Sequence, residues 1–390
     1  MSNDVTQLSG NWSYPTTIRF GAGRISEIGK VCKDLGMTRP LLVTDPGLAN
    51  LPMIPAALSE LEAAGVPGAV FSDVKGNPVN ANVEAGLEAY RSGNHDGIIA
   101  WGGGSAMDCA KCIALMVGQT RPIWDFEDIG SNWKLADPDG IAAIVAVPTT
   151  SGTGSEVGRA GVITDETTHT KKIIFHPKLL PAVVICDPEL AQGLPANITA
   201  WTGMDALAHC LEAYCSPFYH PMGEGIAVEG MRLVKEWLPT AVKDGSNLTA
   251  RAHMMSAAAM GAVAFQKGLG AIHSLSHPVG AVFDTHHGLT NAVFMPYVLA
   301  FNRDAIDGKL TRLARWLGIG DGFDDVQNWV LDLRKEFDIP HTAADLGVDG
   351  ARLDDLSKMA AEDPTAGGNP VFVGEKEMRR MYDAAMAGTF

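Results

Sequence analysis

The stretch GIIAWGGGSAMDCAK, residues 97–111, reads as a strand, a glycine cluster and a helix. The run GIIAW is continuously apolar, which is typical of a strand buried on both faces of a parallel sheet. Comparable runs recur up to about residue 190 and alternate with segments of helical spacing. They are PLLVTD (40–45), GAVFSDV (68–74), AAIVAVP (142–148) and AVVICDP (182–188). This alternation predicts an α/β layer fold with a Rossmann-like parallel sheet and right-handed crossovers.

The second half of the chain has a different sequence pattern, because the β-branched runs stop after about residue 190. Long segments rich in Ala and Met follow with helical spacing, among them TAWTGMDALAHCLEAYCS (199–216) and GIAVEGMRLVKEWLPTAV (225–242). We therefore predict an α/β dinucleotide-binding domain over residues 1–190 and an all-α domain over residues 191–390. The cleft between two such domains is the expected place for an active site.

Composition restricts the function classes. The chain has 390 residues, 46% of them hydrophobic, and a formal net charge of −15. Nucleic acid is excluded as a partner, because a phosphate backbone requires a basic surface. The longest apolar run, IAAIVAV (141–147), is too short to cross a bilayer, and the start MSNDVTQLSG lacks the basic and apolar regions of a signal peptide. The six cysteines lie mostly in apolar segments, which indicates buried thiols in a reducing compartment, the cytoplasm.

The glycine cluster is a candidate phosphate site. Gly102, Gly103 and Gly104 allow a ligand to approach the backbone, and Ser105 could cap the helix that follows. Asp108, three residues on, would complete a capping box. The amides at this helix start, with the positive end of the helix dipole, would hold a pyrophosphate. The alternative is a glycine-rich turn with a purely structural role.

A second polar loop, VPTTSGTGSE (147–156), follows the next buried strand. It places hydroxyl groups where strand ends carry ligands in such sheets, namely those of Thr149, Thr150, Ser151, Thr153 and Ser155. The alternative is a loop that caps its own backbone. Asp45 ends the run PLLVTD, where a carboxylate could accept from a ribose 2′-hydroxyl and favour NAD over NADP. Taken alone, Asp45 is better explained as a turn residue before Pro46.

Histidines concentrate in GLGAIHSLSHPVGAVFDTHHGLTN, residues 268–291. His273 and His277 are four residues apart, as are Asp205 and His209 in MDALAHCLEAY, so each pair shares one face of a helix. A plain Asp–His hydrogen bond would account for the second pair. A divalent cation would explain more, since one carboxylate and three imidazoles form a four-ligand site suited to Fe²⁺ or Zn²⁺. Four other histidines lie in polar, loop-like contexts and are expected to be solvated: His95, His169, His220 and His341.

Taken together, these motifs resemble the iron-containing alcohol dehydrogenase family (group III), essentially from end to end. The matching stretches are FGAG (20–23), GNP (76–78), GGGSAMDCAK (102–111), PTTSGTGSE (148–156), VICDPELAQGLPANITAWTGMDALAHCLE (184–212) and GAIHSLSHPVGAVFDTHHGLT (270–290). The late stretch GGNPVF (367–372) departs from the family pattern, because Val371 stands where an Arg is usual. The resemblance implies a dehydroquinate synthase-like architecture.

The resemblance also implies roles for single residues. The metal ligands would be Asp205, His209, His273 and His287. Beside them, His277 would relay a proton or orient the substrate, and His286 would lie outside the ligand set. On the cofactor side, Asp45 would contact the adenosine ribose and Lys171 would lie near the nicotinamide ribose.

The activity that the resemblance implies is that of an NAD-dependent and metal-dependent alcohol dehydrogenase. It would interconvert a small alcohol or hydroxy acid and the corresponding aldehyde or ketone, with Fe²⁺ as the cation and Zn²⁺ as the alternative. A homo-oligomer, a dimer or larger, is expected. Arg159 could pair with a substrate carboxylate, although a salt bridge within the protein would also explain it. The competing interpretation is a dehydroquinate synthase-like lyase that uses NAD and a metal, although that branch typically has a Glu/His/His ligand set.

Overall fold

The computed structural model describes residues 16–168 and 170–390. The N-terminal stretch MSNDVTQLSG and His169 therefore lie outside the described residues. The chain divides into two compact units. One comprises the described residues up to Leu194 together with Gly245–Met255, and the other comprises Pro195–Asp244 and Ser256–Phe390. The sequence predicts one domain boundary, at residue 190, and that boundary stays a prediction.

The first unit contains a six-stranded parallel sheet and a two-stranded antiparallel hairpin. The strands are β1 (Thr17–Phe20), β2 (Pro40–Val43), β3 (Ala69–Phe71), β4 (Gly97–Gly102), β5 (Ile144–Pro148), β6 (Ala160–Asp165), β7 (Thr170–Phe175) and β8 (Val183–Cys186). The large sheet has the order β1-β8-β5-β4-β2-β3, and β6 pairs with β7. The helices are α1 (Ile28–Asp34), α2 (Pro46–Ala49), α3 (Met53–Ala63), α4 (Asn80–Ser92) and α5 (Gly104–Met116). The predicted Rossmann-like parallel sheet is confirmed.

Strand β4 shows why the apolar run that opens this sheet is continuous. All six of its residues are buried. Ile98 and Ala100 belong to the core on one face, and Ile99 and Trp101 belong to the core on the other. Because alternate residues of a strand point to opposite faces, a sheet covered on both sides requires apolar residues at every position.

The order of the strands brings three loops to one edge of the sheet. β4 lies between β2 and β5, with Val43 opposite Ala100 and Gly102 opposite Pro148. The strands are parallel, so the segments that follow them leave from the same edge. Asp45, the glycine cluster and the Thr/Ser loop follow β2, β4 and β5 respectively, and are therefore neighbours.

The described residues from 195 to the end contain helices and no strand. The α-helices are α6 (Ala196–Cys215), α7 (Pro221–Lys243), α8 (Leu248–Ala264), α9 (Ala271–Phe283), α10 (His287–Leu317), α11 (Phe323–Glu336), α12 (Leu353–Glu362) and α13 (Glu375–Ala387). The all-α character predicted for the second half is confirmed. None of the helices in the described part of the chain combines the length and the apolar character that a bilayer span requires.

Two lysines cap the C-terminal end of α6. The buried Lys267 donates to three carbonyl oxygens, those of Ala213, Tyr214 and Ser216. Its Nζ also lies 2.9 Å from a carboxylate oxygen of Glu224. Lys309 contacts the same carboxylate at 3.1 Å and two of the same carbonyls. Cations at this position satisfy the last carbonyls of the helix and complement its dipole.

We expect Lys267→Met to destabilise the protein by about 2–4 kcal/mol, because it leaves buried carbonyls and a carboxylate without their main donor. Lys309→Met is the matched control and should lower the free energy of unfolding less. The Lys309 side chain is one-quarter exposed, and Lys267 would still donate to the carbonyls and the carboxylate that the two lysines share. Urea unfolding is measured at pH 7 and not above, because burial lowers the pKa of Lys267 and a more alkaline buffer would favour its neutral form. Equal losses for the two variants would contradict this assignment.

Candidate cation and dinucleotide sites

One carboxylate and three imidazoles converge in the helical unit. The donor atoms of Asp205, His273 and His287 all lie within 4.8 Å of one another. From Asp205 Oδ1, the distance to Nε2 is 3.6 Å for His287 and 3.9 Å for both His209 and His273. Asp205, His209 and His273 are buried, while the side chain of His287 is 24% exposed. The structure thus brings together all four residues that the resemblance implies as ligands.

Helix geometry and one glycine produce this convergence. Asp205 and His209 are four residues apart on α6, which places them on one face. His287 is the first residue of α10. A Cβ at the next position, Gly288, would lie 2.3 Å from the carbonyl oxygen of Trp201 on α6. The glycine therefore allows the first turn of α10 to pack directly against α6, which places His287 beside Asp205.

Two residues that the sequence analysis did not single out contact this cluster. Glu212 Oε2 lies 2.6 Å from Nδ1 of His273. The amide nitrogen Nδ2 of Asn291 lies 2.8 Å from Asp205 Oδ1, and 3.2 and 3.1 Å from Nε2 of His273 and His287. Helical spacing could have found both, since Glu212 follows Asp205 by seven residues and Asn291 follows His287 by four.

His277 lies beside the cluster and has its own carboxylate. Its ring stacks on His287 with 5.4 Å between centroids, and its Nδ1 lies 2.8 Å from Asp363 Oδ2. Burial alone would raise the pKa of Asp363, but His277 and the hydrogen bonds from Thr365 outweigh it and hold that pKa below its ordinary value. No local spacing could reveal this pair, because 86 residues separate its members.

The donor set fits a divalent cation. Burying a carboxylate and several imidazoles in an apolar helical unit is costly unless they share a positive partner. Asn291 Oδ1 is buried and has no hydrogen-bond partner among the described residues. Burial lowers the pKa of His273, but Glu212, Asp205 and Asp363 together raise it above the ordinary value, so the surroundings favour positive charge. Imidazole nitrogens with one carboxylate oxygen are ligands typical of Fe²⁺ and Zn²⁺.

Histidines outside the donor set have structural roles. His286 packs against Trp201, and its Nδ1 accepts from the Leu289 amide at the start of α10. The prediction that His220 is solvated is wrong, because it is buried and its Nδ1 accepts from the Gly223 amide at the start of α7. Histidine here replaces the Ser or Asp expected at a helix start, a role that its loop-like sequence context does not reveal.

The glycine cluster starts α5 without a side-chain cap. The helix begins at Gly104 with Gly103 as its N-cap, so Ser105 lies inside the first turn. The capping box predicted for Ser105 and Asp108 is therefore wrong. Asp108 accepts instead from Ser155 Oγ at 2.5 Å and from the Val162 amide at 3.0 Å. The first three amides of α5 have no acceptor within the helix and remain suited to an anion.

The glycines are also required by packing. Gly102 has a φ of 140°, which side chains rarely adopt. A Cβ on Gly103 would lie 3.2 Å from Thr150, and one on Gly104 would lie 2.6 Å from Thr153. The Thr149 amide donates to the Gly102 carbonyl. The glycine cluster and the Thr/Ser loop, which were predicted separately, thus pack against each other. Both interpretations remain compatible with this contact, a purely structural turn and a ligand-binding loop. The buried Thr149 and Ser151 belong to the same loop.

The other candidate residues of the sheet-containing unit lie in a turn and in or beside the β6–β7 hairpin. Asp45 Oδ1 accepts from the Leu48 amide and caps α2, so the turn interpretation holds. Its Oδ2 lies 3.6 Å from the position of a Cβ on Gly102, beside the glycine cluster. Lys171 is a half-buried residue of β7. The guanidinium of Arg159 lies over the Phe175 ring, 5.4 Å from its centroid.

Family models match both halves of the chain. The model described as iron-containing alcohol dehydrogenase covers residues 15–188, and the C-terminal model of the Fe-containing alcohol dehydrogenase family covers residues 199–386. The chain belongs to the iron-containing alcohol dehydrogenase family. It is therefore an oxidoreductase that acts on CH–OH groups.

Relatives in this family resemble the chain over nearly its whole length. A 4-hydroxybutyrate dehydrogenase of Cupriavidus necator is 39% identical over 96% of this chain and 99% of its own. The crystal structure of a 1,3-propanediol oxidoreductase has a TM-score of 0.92 at 35% identity, covering 97% of this chain and 100% of that one. A sulfoacetaldehyde reductase of Bifidobacterium kashiwanohense, solved in complex with NAD⁺, has a TM-score of 0.87 at 30% identity and covers 97% and 99%.

We expect Gly104→Ala to destabilise the protein by about 1–3 kcal/mol, because its Cβ would overlap Thr153 Cγ2. Thr153→Ser removes that methyl group and keeps the hydroxyl. The double variant should therefore recover most of the loss in thermal unfolding, whereas Thr153→Ser alone should change little. A double variant no more stable than Gly104→Ala would show that the contact between the two loops is not the cause.

Proposed function

We propose that the protein is an NAD-dependent and divalent-metal-dependent alcohol dehydrogenase that interconverts a small alcohol or hydroxy acid and its aldehyde or ketone. The observation that carries this proposal is the convergence of the buried Asp205 with three imidazoles. Asp205, His209, His273 and His287 would hold the cation, which when bound supplies Lewis acidity to the alcohol or carbonyl oxygen. The family description favours Fe²⁺, with Zn²⁺ as the alternative for these ligands.

His277 is proposed to move the hydroxyl proton. Asp363 accepts from Nδ1 of this ring at 2.8 Å, which leaves the lone pair on Nε2. Nε2 is therefore the atom that takes the proton in oxidation and returns it in reduction. Asp363 holds the ring in the orientation and tautomer that this exchange needs.

NAD is proposed as the hydride acceptor. The amides at the start of α5 would hold its pyrophosphate, with Gly102, Gly103 and Gly104 leaving room for the phosphates. Asp45 Oδ2 would accept from a ribose hydroxyl, which favours NAD over NADP. Lys171 and the hydroxyls of the Thr/Ser loop would line the nicotinamide side. A relative named NAD-dependent methanol dehydrogenase, from Bacillus methanolicus, is 35% identical over 92% of this chain and supports this cofactor.

The dehydroquinate synthase-like lyase is not retained, because the family models and the named relatives are alcohol dehydrogenases. Their names support a small hydroxylated substrate, a diol or a hydroxy acid. A homo-oligomer and a cytoplasmic location stay predictions.

The metal test uses Asp205→Ala. We expect protein purified without oxygen and reconstituted with Fe²⁺ or Zn²⁺ to bind one equivalent and to form NADH from alcohols. Asp205→Ala should lose both properties, because the cation loses its anionic ligand. His341→Ala, which alters an exposed histidine, is the control and should bind metal normally. An Asp205→Ala protein that still holds stoichiometric metal would exclude this ligand set.

The substrate test uses Arg159→Ala with 4-hydroxybutyrate and 1,3-propanediol. If Arg159 pairs with a substrate carboxylate, the variant should raise KM for the hydroxy acid about tenfold and leave the diol unchanged. Arg121→Ala removes an exposed guanidinium of the same unit and serves as the control. An unchanged preference between the two substrates would assign Arg159 a structural role over Phe175.

A further inference from the structure

The side-chain amide of Asn291 identifies which atoms of the donor set carry lone pairs. Ionised Asp205 can only accept hydrogen bonds, so the group 2.8 Å from its Oδ1 must be the NH₂ end of Asn291. The same nitrogen lies 3.2 Å from His273 Nε2 and 3.1 Å from His287 Nε2. One of the two hydrogens of this NH₂ group points to Asp205, and the two ring nitrogens share the other. Both ring atoms thus face a donor, which favours lone pairs there, the state that a cation requires.

Glu212 leads to the same conclusion for His273 from the other side of the ring. Glu212 Oε2 lies 2.6 Å from Nδ1 of His273, and both side chains are buried. A carboxylate accepts, so the proton of the imidazole is on Nδ1 and the lone pair is on Nε2. Two independent contacts, at opposite nitrogens of one ring, thus indicate the same tautomer.

The second oxygen of Glu212 explains why this residue must be a carboxylate. Oε1 accepts from the Ile272 amide at 2.6 Å, at the start of α9. Ile272 N–H is a donor that cannot change, and Nδ1–H of His273 is a donor in the required tautomer. Glutamate accepts from both. Glutamine could accept from only one of them, and its NH₂ group would face the other.

We propose that Glu212 is a positioning residue that fixes His273 in the tautomer whose Nε2 lone pair faces Asp205, and thereby sets the affinity of the site for its cation. This inference rests on the cation site of the proposed function. Glu212 lies on α6 with Asp205 and His209, and it binds the first turn of α9 with His273. It therefore fixes both the orientation of the ligand and the alignment of the two helices that carry the donor set.

The closing experiment compares Glu212→Gln with Asp363→Asn. Each variant replaces a carboxylate that accepts from a histidine Nδ1 and from a backbone amide, but only the first involves a residue of the donor set. Zn²⁺ affinity is measured by competition with a chelator. We expect Glu212→Gln to bind Zn²⁺ about 10–100-fold more weakly. Asp363→Asn should weaken binding much less, because Asp363 contacts His277 and no residue of the donor set directly. Equal Zn²⁺ affinity of Glu212→Gln and the wild type would overturn the proposal.

A spectroscopic measurement keeps the proposal testable even if Glu212→Gln does not fold. Histidine ¹⁵N NMR of the metal-free wild type, at a pH that keeps the imidazoles neutral, should show His273 protonated at Nδ1, and Glu212→Gln should move the proton to Nε2. His273→Gln assigns the signal. An Nε2–H form in the wild type would refute the tautomer. A wild type that binds no Zn²⁺ or Fe²⁺ would instead refute the proposed function, so the two failures are distinguishable.

Discussion

The helical unit is organised around one buried carboxylate. Asp205 lies on a helix whose neighbouring residues are largely apolar and buried, where an unpartnered charge would be costly. Three imidazoles and the amide of Asn291 surround its Oδ1. Because these groups come from α6, α9 and α10, satisfying the carboxylate fixes three helices relative to one another. The candidate chemistry and the packing of the unit therefore depend on the same contacts.

Polar contacts at the helix ends fix the positions of these helices relative to one another. The first two amides of α9 donate to Asn369 and Glu212, which come from distant parts of the chain. Lys267 and Lys309 satisfy the last carbonyls of α6. Helix ends leave backbone groups unpaired, so tertiary partners at these positions fix both the start of a helix and its neighbours. His273 and His287 lie in the first turns of α9 and α10, so contacts at these helix starts also position the donor atoms.

In the sheet-containing unit, the glycine and threonine loops depend on each other. The glycines provide the space that Thr150 and Thr153 fill, and Asp108 holds Ser155. Lys111 is buried and donates to the carbonyls of Ser155 and Ala160. The loop between β5 and β6 is thus attached to α5 by an acceptor and by a donor. These contacts restrict the loop, which would limit the ordering cost of any ligand that it binds.

Sequence patterns alone predicted the parallel sheet and the helical second half, and the resemblance to the family supplied the four residues that converge. The sheet and the helices follow from periodicity, but i, i+4 spacing pairs His273 with His277 and does not indicate His287, so the full set rests on the family resemblance. The same patterns predicted a capping residue at Ser105, which lies inside the first turn of α5, and a solvated His220. Both predictions were wrong because a helix start depends on which backbone groups find tertiary partners. Only the tertiary structure showed that Asp363 contacts His277 and that Glu212, although on the same face of α6 as Asp205, contacts His273. Pairs distant in the chain leave no periodic signal, because folding alone brings them into contact.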